Sequence, residues 1–168
     1  MHTIGHGTRD AGELVRCLAE AGVATLVDVR RFPGSRRNPQ FGSEALAASV
    51  ESAGIAYRHA EGLGGRRTGG ERFECIRVAA FRGYAEWMGS EEFQAALAEA
   101  LASASPCFMC AETLWWRCHR RLIAELLQVR GHEVVHLLRP GHSEPHRPWE
   151  PISETRDGRL YLCGELVA

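Results

Sequence analysis

Residues 107–127 read CFMCAETLWWRCHRRLIAELL. Cys107 to Ala111 are small or apolar and have the composition of a buried strand. The run stops at Glu112 and crosses a bulky loop. It resumes as a helical pattern in which Leu122, Ile123, Leu126 and Leu127 share one face. A helix is expected here with Cys118, His119 and Arg120 in its first turn. A strand that ends in a carboxylate, followed by a helix that begins with a thiol, an imidazole and a guanidinium, is the kind of junction where parallel α/β proteins place their sites.

The flanking sequence repeats this strand–helix alternation. Thr3–Gly7 reads as a short strand with a turn, and Asp10 with Glu13 forms a helix start signal. Val23–Arg30 (VATLVDVR), Ile55–His59 and Glu133–Leu138 read as further strands. Gly22, Gly54 and Gly131 each close a helix and lead into one of these strands. Helices are expected after Ser43, over Phe73–Met88 and after Ser90. Arg139–Pro151 holds four of the seven prolines and reads as an extended loop. Asp157-Gly158 is a hairpin signal between Ile152–Arg156 and Leu160–Val167. The fold class is therefore α/β: a three-layer Rossmann-like sandwich with a mostly parallel five-stranded sheet and a C-terminal β-hairpin. Residues 1–168 read as a single α/β domain, with a core to residue 138 and a loop-and-hairpin tail over 139–168.

Composition narrows the function classes. The 168 residues are 45% hydrophobic and 24% charged, ordinary for a soluble globular chain. No run is long enough to span a membrane and MHTIGHG is not a signal peptide, so a cytoplasmic location is expected. The six cysteines would then be reduced thiols. A net charge of −1 gives no global attraction to nucleic acid or anionic lipid. All 20 basic residues are arginine, which excludes lysine Schiff-base chemistry and the P-loop lysine.

In a parallel sheet the C-terminal strand ends share one edge, and here they bring His6, Asp28 with Arg30, His59 with Glu61, Glu112 and His136. Cys118 reads either as a thiolate favoured by the helix N-terminus and nearby cations, or as the start of a core stripe. His119 adjoins it, but neighbouring helical side chains diverge by about 100°, so His6 or His59 is the expected base for the thiol. Glu112 is a general base, or pairs with Arg30, Arg117 or Arg120; Asp28 is catalytic, or pairs with Arg30. Arg30, Ser35, Arg36 and Arg120 are candidates for holding an anionic ligand. Cys107 and Cys110 should point to opposite faces of one strand, so Cys107-x-x-Cys110 with Cys118-His119 does not read as a closed metal site. No metal or other cofactor is expected, with a rim metal site as the alternative. Trp115 and Trp116 either stack on a base or cover the core.

TIGHG, VDVRRFPGSRRNPQF, YRHAEGLGG and the C-A-E…C-H-R stretch together resemble domain-of-unknown-function family 488 over roughly Met1 to Leu138. The resemblance implies an α/β fold and supplies no reaction. His6, Asp28, Arg30, Pro33, Ser35, Arg36, Cys110, Glu112, Cys118, His119 and Arg120 match its pattern. Gly7 departs where serine is common, and Trp115-Trp116 departs in the loop before the thiol. The expected function is an enzyme, a thiol-dependent transferase or hydrolase, acting on an anionic phosphate- or nucleotide-containing substrate at the sheet rim. Cys118, Glu112, His119, His6 and Asp28 would be its catalytic residues. The expected partner is a small-molecule or nucleic-acid anion, with no membrane. Two alternatives stay open: a non-catalytic nucleotide- or nucleic-acid-binding module, and a metal-dependent hydrolase.

Overall fold

The computed structural model describes residues 1–34 and 37–168. In chain order it contains β1 (His2–Gly5), α1 (Ala11–Glu20), β2 (Thr25–Asp28), α2 (Ser43–Glu51), β3 (Ala56–His59), α3 (Ala79–Met88), α4 (Glu91–Leu101) and β4 (Pro106–Cys110). There follow α5 (Arg120–Val129), β5 (Val135–Arg139), β6 (His142–Pro145), β7 (Ser153–Arg156), β8 (Arg159–Leu162) and β9 (Glu165–Leu166). The main sheet has the order β3-β2-β4-β1-β5-β6, parallel except for the antiparallel edge strand β6. Strands β7-β8-β9 form a separate antiparallel sheet. This is the mostly parallel α/β sandwich expected, with the C-terminal hairpin enlarged to three strands.

The central strand β4 shows how the layers arise. All five of its residues are buried. Cys107 and Met109 join the apolar cluster of α1 and α2, while Phe108 and Cys110 join that of α3, α4 and α5. Successive strand side chains alternate faces, so one short run seeds both cores. Leu160 and Leu162 of β8 add to the second cluster. Asp10 caps α1 by accepting from the Glu13 amide at 2.7 Å, and Ser90 caps α4 by accepting from Phe93.

Several boundaries differ from the sequence reading. The proline-rich segment after β5 contains β6, with His136 opposite Glu144. Pro145 is tolerated because an edge strand uses only one side of its backbone. α3 starts at Ala79 rather than near Phe73, whose φ of +59° takes it out of helical conformation. α5 starts at Arg120, after a 3₁₀ turn over Trp115–Arg117 and an extended Cys118 with φ −125° and ψ 150°. Cys75 and Cys163 are joined in a disulfide, so the expected six thiols reduce to Cys17, Cys107, Cys110 and Cys118. The two partners are 88 residues apart in sequence, a pairing that spacing does not reveal. Among the described residues no helix is long and apolar enough to cross a membrane.

His136 is the second residue of β5, level with Thr3, and so lies below the rim where it was expected. It anchors the loop between β4 and α5. Its Nδ1 shares a 2.7 Å hydrogen bond with Thr3 Oγ1 and its Nε2 one of 3.0 Å with His146 Nδ1. Trp115 stacks on it with ring centroids 4.2 Å apart, and donates from its indole N–H to Glu144. His146 Nε2 in turn lies 3.3 Å from Glu125 Oε1, without the alignment of a hydrogen bond. Burial, with the charges of His146 and Arg120 adding, lowers the His136 pKa to about 3. The unfolded chain protonates this ring near 6.5, so between those values it binds the extra proton and the fold loses stability as pH falls. Urea midpoints measured from pH 7 down to pH 4 should therefore drop, at up to about 1.4 kcal/mol per pH unit from this one group. His136→Gln should flatten that slope; identical slopes for the two proteins would refute the assignment.

Candidate active site

The parallel register aligns Gly5 with Cys110, and Asp28 with both Met109 and His59, so the loops that follow leave from one edge. Two backbone bonds extend the ladder past the strands, His6 N–H to the Cys110 carbonyl and Gly7 N–H to that of Ala111, both 2.9 Å. Above this edge lies a cleft of about 740 Å³.

At its floor are Cys110, Cys118 and His119. His119 Nδ1 is 3.6 Å from Cys118 Sγ and 3.7 Å from Cys110 Sγ. His119 Nε2 lies 3.0 Å from the Val29 carbonyl. A carbonyl only accepts, so Nε2 carries the hydrogen and Nδ1 presents a lone pair to the sulfurs. Tyr84 packs edge-on against the imidazole. The expectation that adjacent Cys118 and His119 must diverge is corrected here. Cys118 is extended and stands before the helix, so helical side-chain spacing does not apply. Neither His6 nor His59 takes the place of the base. His6 Nδ1 donates to the Gly7 carbonyl at 2.9 Å and its Nε2 accepts from Arg30 at 3.3 Å. His59 Nε2 donates to the Arg30 carbonyl at 2.8 Å.

Burial opposes charge on Cys118. The hydrogen bond from the Cys110 thiol, with His119 and Arg120 close by, outweighs it and holds the Cys118 thiol well below the ordinary range. The same hydrogen bond, together with burial, pushes Cys110 well above it. Cys107 lies on the opposite face, away from this group, with its thiol raised by burial.

The other candidates have structural duties. Asp28 has no exposed surface and accepts from Arg30 Nε at 2.8 Å, Arg30 Nη2 at 2.6 Å and Tyr57 Oη at 2.8 Å. Arg30 spends its remaining Nη1 bonds on the Phe41 carbonyl and His6. Asp28 and Arg30 thus form the ion pair that was one of the two expectations for Asp28, and these bonds engage Arg30 Nε, Nη1 and Nη2. Arg120 is 1% exposed, and its Nη2 donates to the carbonyls of Glu112 and Thr113. Gly5 makes room for it: a Cβ there would stand 1.9 Å from the Glu112 carbonyl and 2.7 Å from Arg120 Nη2. Glu112 is exposed on the cleft wall, forms no ion pair among the described residues, and accepts from the Leu114 amide at 3.3 Å. Ser35 and Arg36 lie outside the described residues. Trp115 covers the core, whereas Trp116 is 42% exposed; neither lines the cleft.

Arg31, Arg37, Arg66 and Arg117 also line the cleft, and among the described lining residues Glu112 is the one carboxylate. Among the described residues none of these four forms a salt bridge. Arg37 and Arg66 lie in the two loops that the sequence marks as arginine-rich. The sequence reading left Cys110 undecided and missed Gly65, which supports the imidazole: a Cβ there would come within 2.7 Å of His119 Nδ1. The Gly64-Gly65 pair in the loop after β3 was the signal, a place where another group approaches the backbone closely.

The architecture is that of a parallel α/β protein with a cationic cleft at the carboxyl edge of its sheet. Residues 10–127, well over half the chain, match the family model described as Domain of unknown function DUF488, and the chain belongs to that family. No curated protein and no solved structure matches it.

Gly65→Ala should push the imidazole away from the sulfurs without touching Cys118. We expect alkylation of Cys118 to slow several-fold while the urea midpoint falls by no more than about 1–2 kcal/mol equivalent. An unchanged alkylation rate would mean that His119 does not govern this thiol.

Proposed function

We propose that this chain is a thiol-dependent enzyme, a transferase or hydrolase, acting on an anionic phosphate- or nucleotide-containing substrate in the cleft at the sheet rim. One observation carries the reading. Cys118 Sγ lies 3.6 Å from a histidine nitrogen whose partner nitrogen is fixed by the Val29 carbonyl, at the floor of an arginine-lined cleft. A nucleophile, a base and a group that orients the base are the parts needed for covalent catalysis.

In this reading Cys118 gives its proton to His119 Nδ1 and attacks the electrophilic centre of the substrate. The sulfur–substrate bond forms, the bond to the leaving group breaks, and the leaving group departs with its electron pair and takes the proton from His119. Water or an acceptor, giving its proton to His119 Nδ1, then forms a bond to the group, and the sulfur leaves with the bonding electron pair as the thiolate. The Arg120 amide 3.5 Å from Cys118 Sγ, and the buried Arg120 guanidinium, favour the charged sulfur. Arg31, Arg37, Arg66 and Arg117 supply forks for phosphate or carboxylate oxygens, and Glu112 is the carboxylate placed to exchange protons with a bound substrate. The centre works only with its own sulfurs reduced; a cytoplasmic setting would supply that condition, and the Cys75–Cys163 bridge would have to persist there. The alternative of a non-catalytic nucleic-acid-binding module has less support, because the Trp pair stands outside the cleft.

Paired alkylating reagents test this. In EDTA at pH 6, peptide mapping should find Cys118 modified faster than Cys17, Cys107 and Cys110. Anionic iodoacetate should gain over neutral iodoacetamide, and inorganic pyrophosphate should protect. Arg37→Ala with Arg66→Ala should remove the iodoacetate advantage and leave the iodoacetamide rate unchanged. Equal, slow labelling of all four thiols, or arginine changes that slow both reagents alike, would overturn the reading.

A further inference from the structure

We propose that Cys110, Cys118 and His119 bind one zinc ion, with the fourth coordination position open to the cleft. The three ligand atoms lie within 4.8 Å of one another and belong to buried or half-buried residues. Zinc takes thiolate sulfur at about 2.3 Å and imidazole nitrogen at about 2.0–2.1 Å in a tetrahedron, which sets nitrogen and sulfur about 3.6 Å apart. The observed separations from His119 Nδ1 are 3.6 and 3.7 Å. Both nitrogen–sulfur separations already match those of a tetrahedral zinc site.

The surroundings fit a ligand set rather than a chance cluster. His119 donates its other nitrogen to the Val29 carbonyl, the outer contact that fixes the tautomer of a metal-bound imidazole and aims its lone pair. The Arg120 amide points at Cys118 Sγ at 3.5 Å, a hydrogen bond that suits a metal-bound thiolate. Two thiolates and one imidazole favour zinc over magnesium or calcium, which take oxygen ligands. Three protein ligands with an open position is the arrangement of reactive rather than structural zinc. The open position would face the cleft that Arg31, Arg37, Arg66, Arg117 and Glu112 line, where a water or a substrate oxygen would complete the tetrahedron.

Zinc and the thiol chemistry proposed above compete for the same sulfur, so the two ideas are separable. The untagged full chain, stripped with EDTA and its free thiols kept reduced, is titrated with Co²⁺ and then Zn²⁺. Expected are sulfur-to-cobalt charge-transfer bands, the visible bands of tetrahedral cobalt, displacement by one equivalent of Zn²⁺, and zinc protection of Cys110 and Cys118 from iodoacetamide. Cys110→Ser, Cys118→Ser and His119→Gln should each lose the cobalt spectrum, while Cys17→Ser should keep it. Absence of tetrahedral bands with the native chain, or bands that survive both Cys110→Ser and Cys118→Ser, would overturn the proposal. Zinc binding with an inert metal-free Cys118 would leave the metal site standing and remove the thiol enzyme. A fast metal-free Cys118 with no metal binding would do the reverse.

Discussion

A carboxylate with no exposed surface holds the rim together. Asp28 receives the Arg30 guanidinium in a two-point grip and the Tyr57 hydroxyl beside it. A buried ion pair of this kind is not in itself a large source of stability, because both groups lose their water. Removing one member is another matter, costing about 3–5 kcal/mol by stranding the other charge. What the pair provides is placement. Arg30, once fixed, reaches the Phe41 carbonyl and His6, while its own carbonyl receives His59. Val29 stands between the paired residues, and its carbonyl orients His119. The His119 imidazole is thus aimed by the backbone of a strand end whose neighbours are locked by charge.

Arg120 presents the complementary case. It is buried, and among the described residues it touches no carboxylate: its partners are the Glu112 and Thr113 carbonyls and the Thr3 hydroxyl, and its Nε has no partner among them. An uncompensated guanidinium in a low-dielectric interior is costly. Negative charge on the sulfur just before it would offset that cost. The apolar packing of α5 and the chemistry of Cys118 therefore bear on each other.

Much of this was legible in the sequence. Glycine-closed helices feeding Val-rich strands gave the parallel sheet, and the strand ends gave the edge where the cleft lies. The opposite facing of Cys107 and Cys110 followed from strand alternation alone. The relation of Cys118 to His119 did not follow, because it turns on a helix that starts two residues later than its apolar stripe suggests. Such boundaries depend on tertiary contacts, and here Trp115, the first residue of the 3₁₀ turn, stacks on His136 of β5. The sequence also overstated the ionisable groups at the rim. Asp28, Arg30 and His6 do reach it, but they satisfy one another, and a list of strand-end residues does not show which are already spoken for.

The cleft divides its tasks between unlike parts of the chain. Cys110 ends a central strand, and Cys118 and His119 lead directly into a helix, all against the core. The arginines of the wall sit in the connections after β2 and β3 and in the short turn before α5. Insertions and substitutions in such connections leave a packed core undisturbed. Ligand preference in this architecture can therefore drift from one chain to another while the sulfur–imidazole centre stays as it is. On the proposed reading, the cleft wall sets which ligand is held and the packed floor sets what is done to it, so the two can change independently.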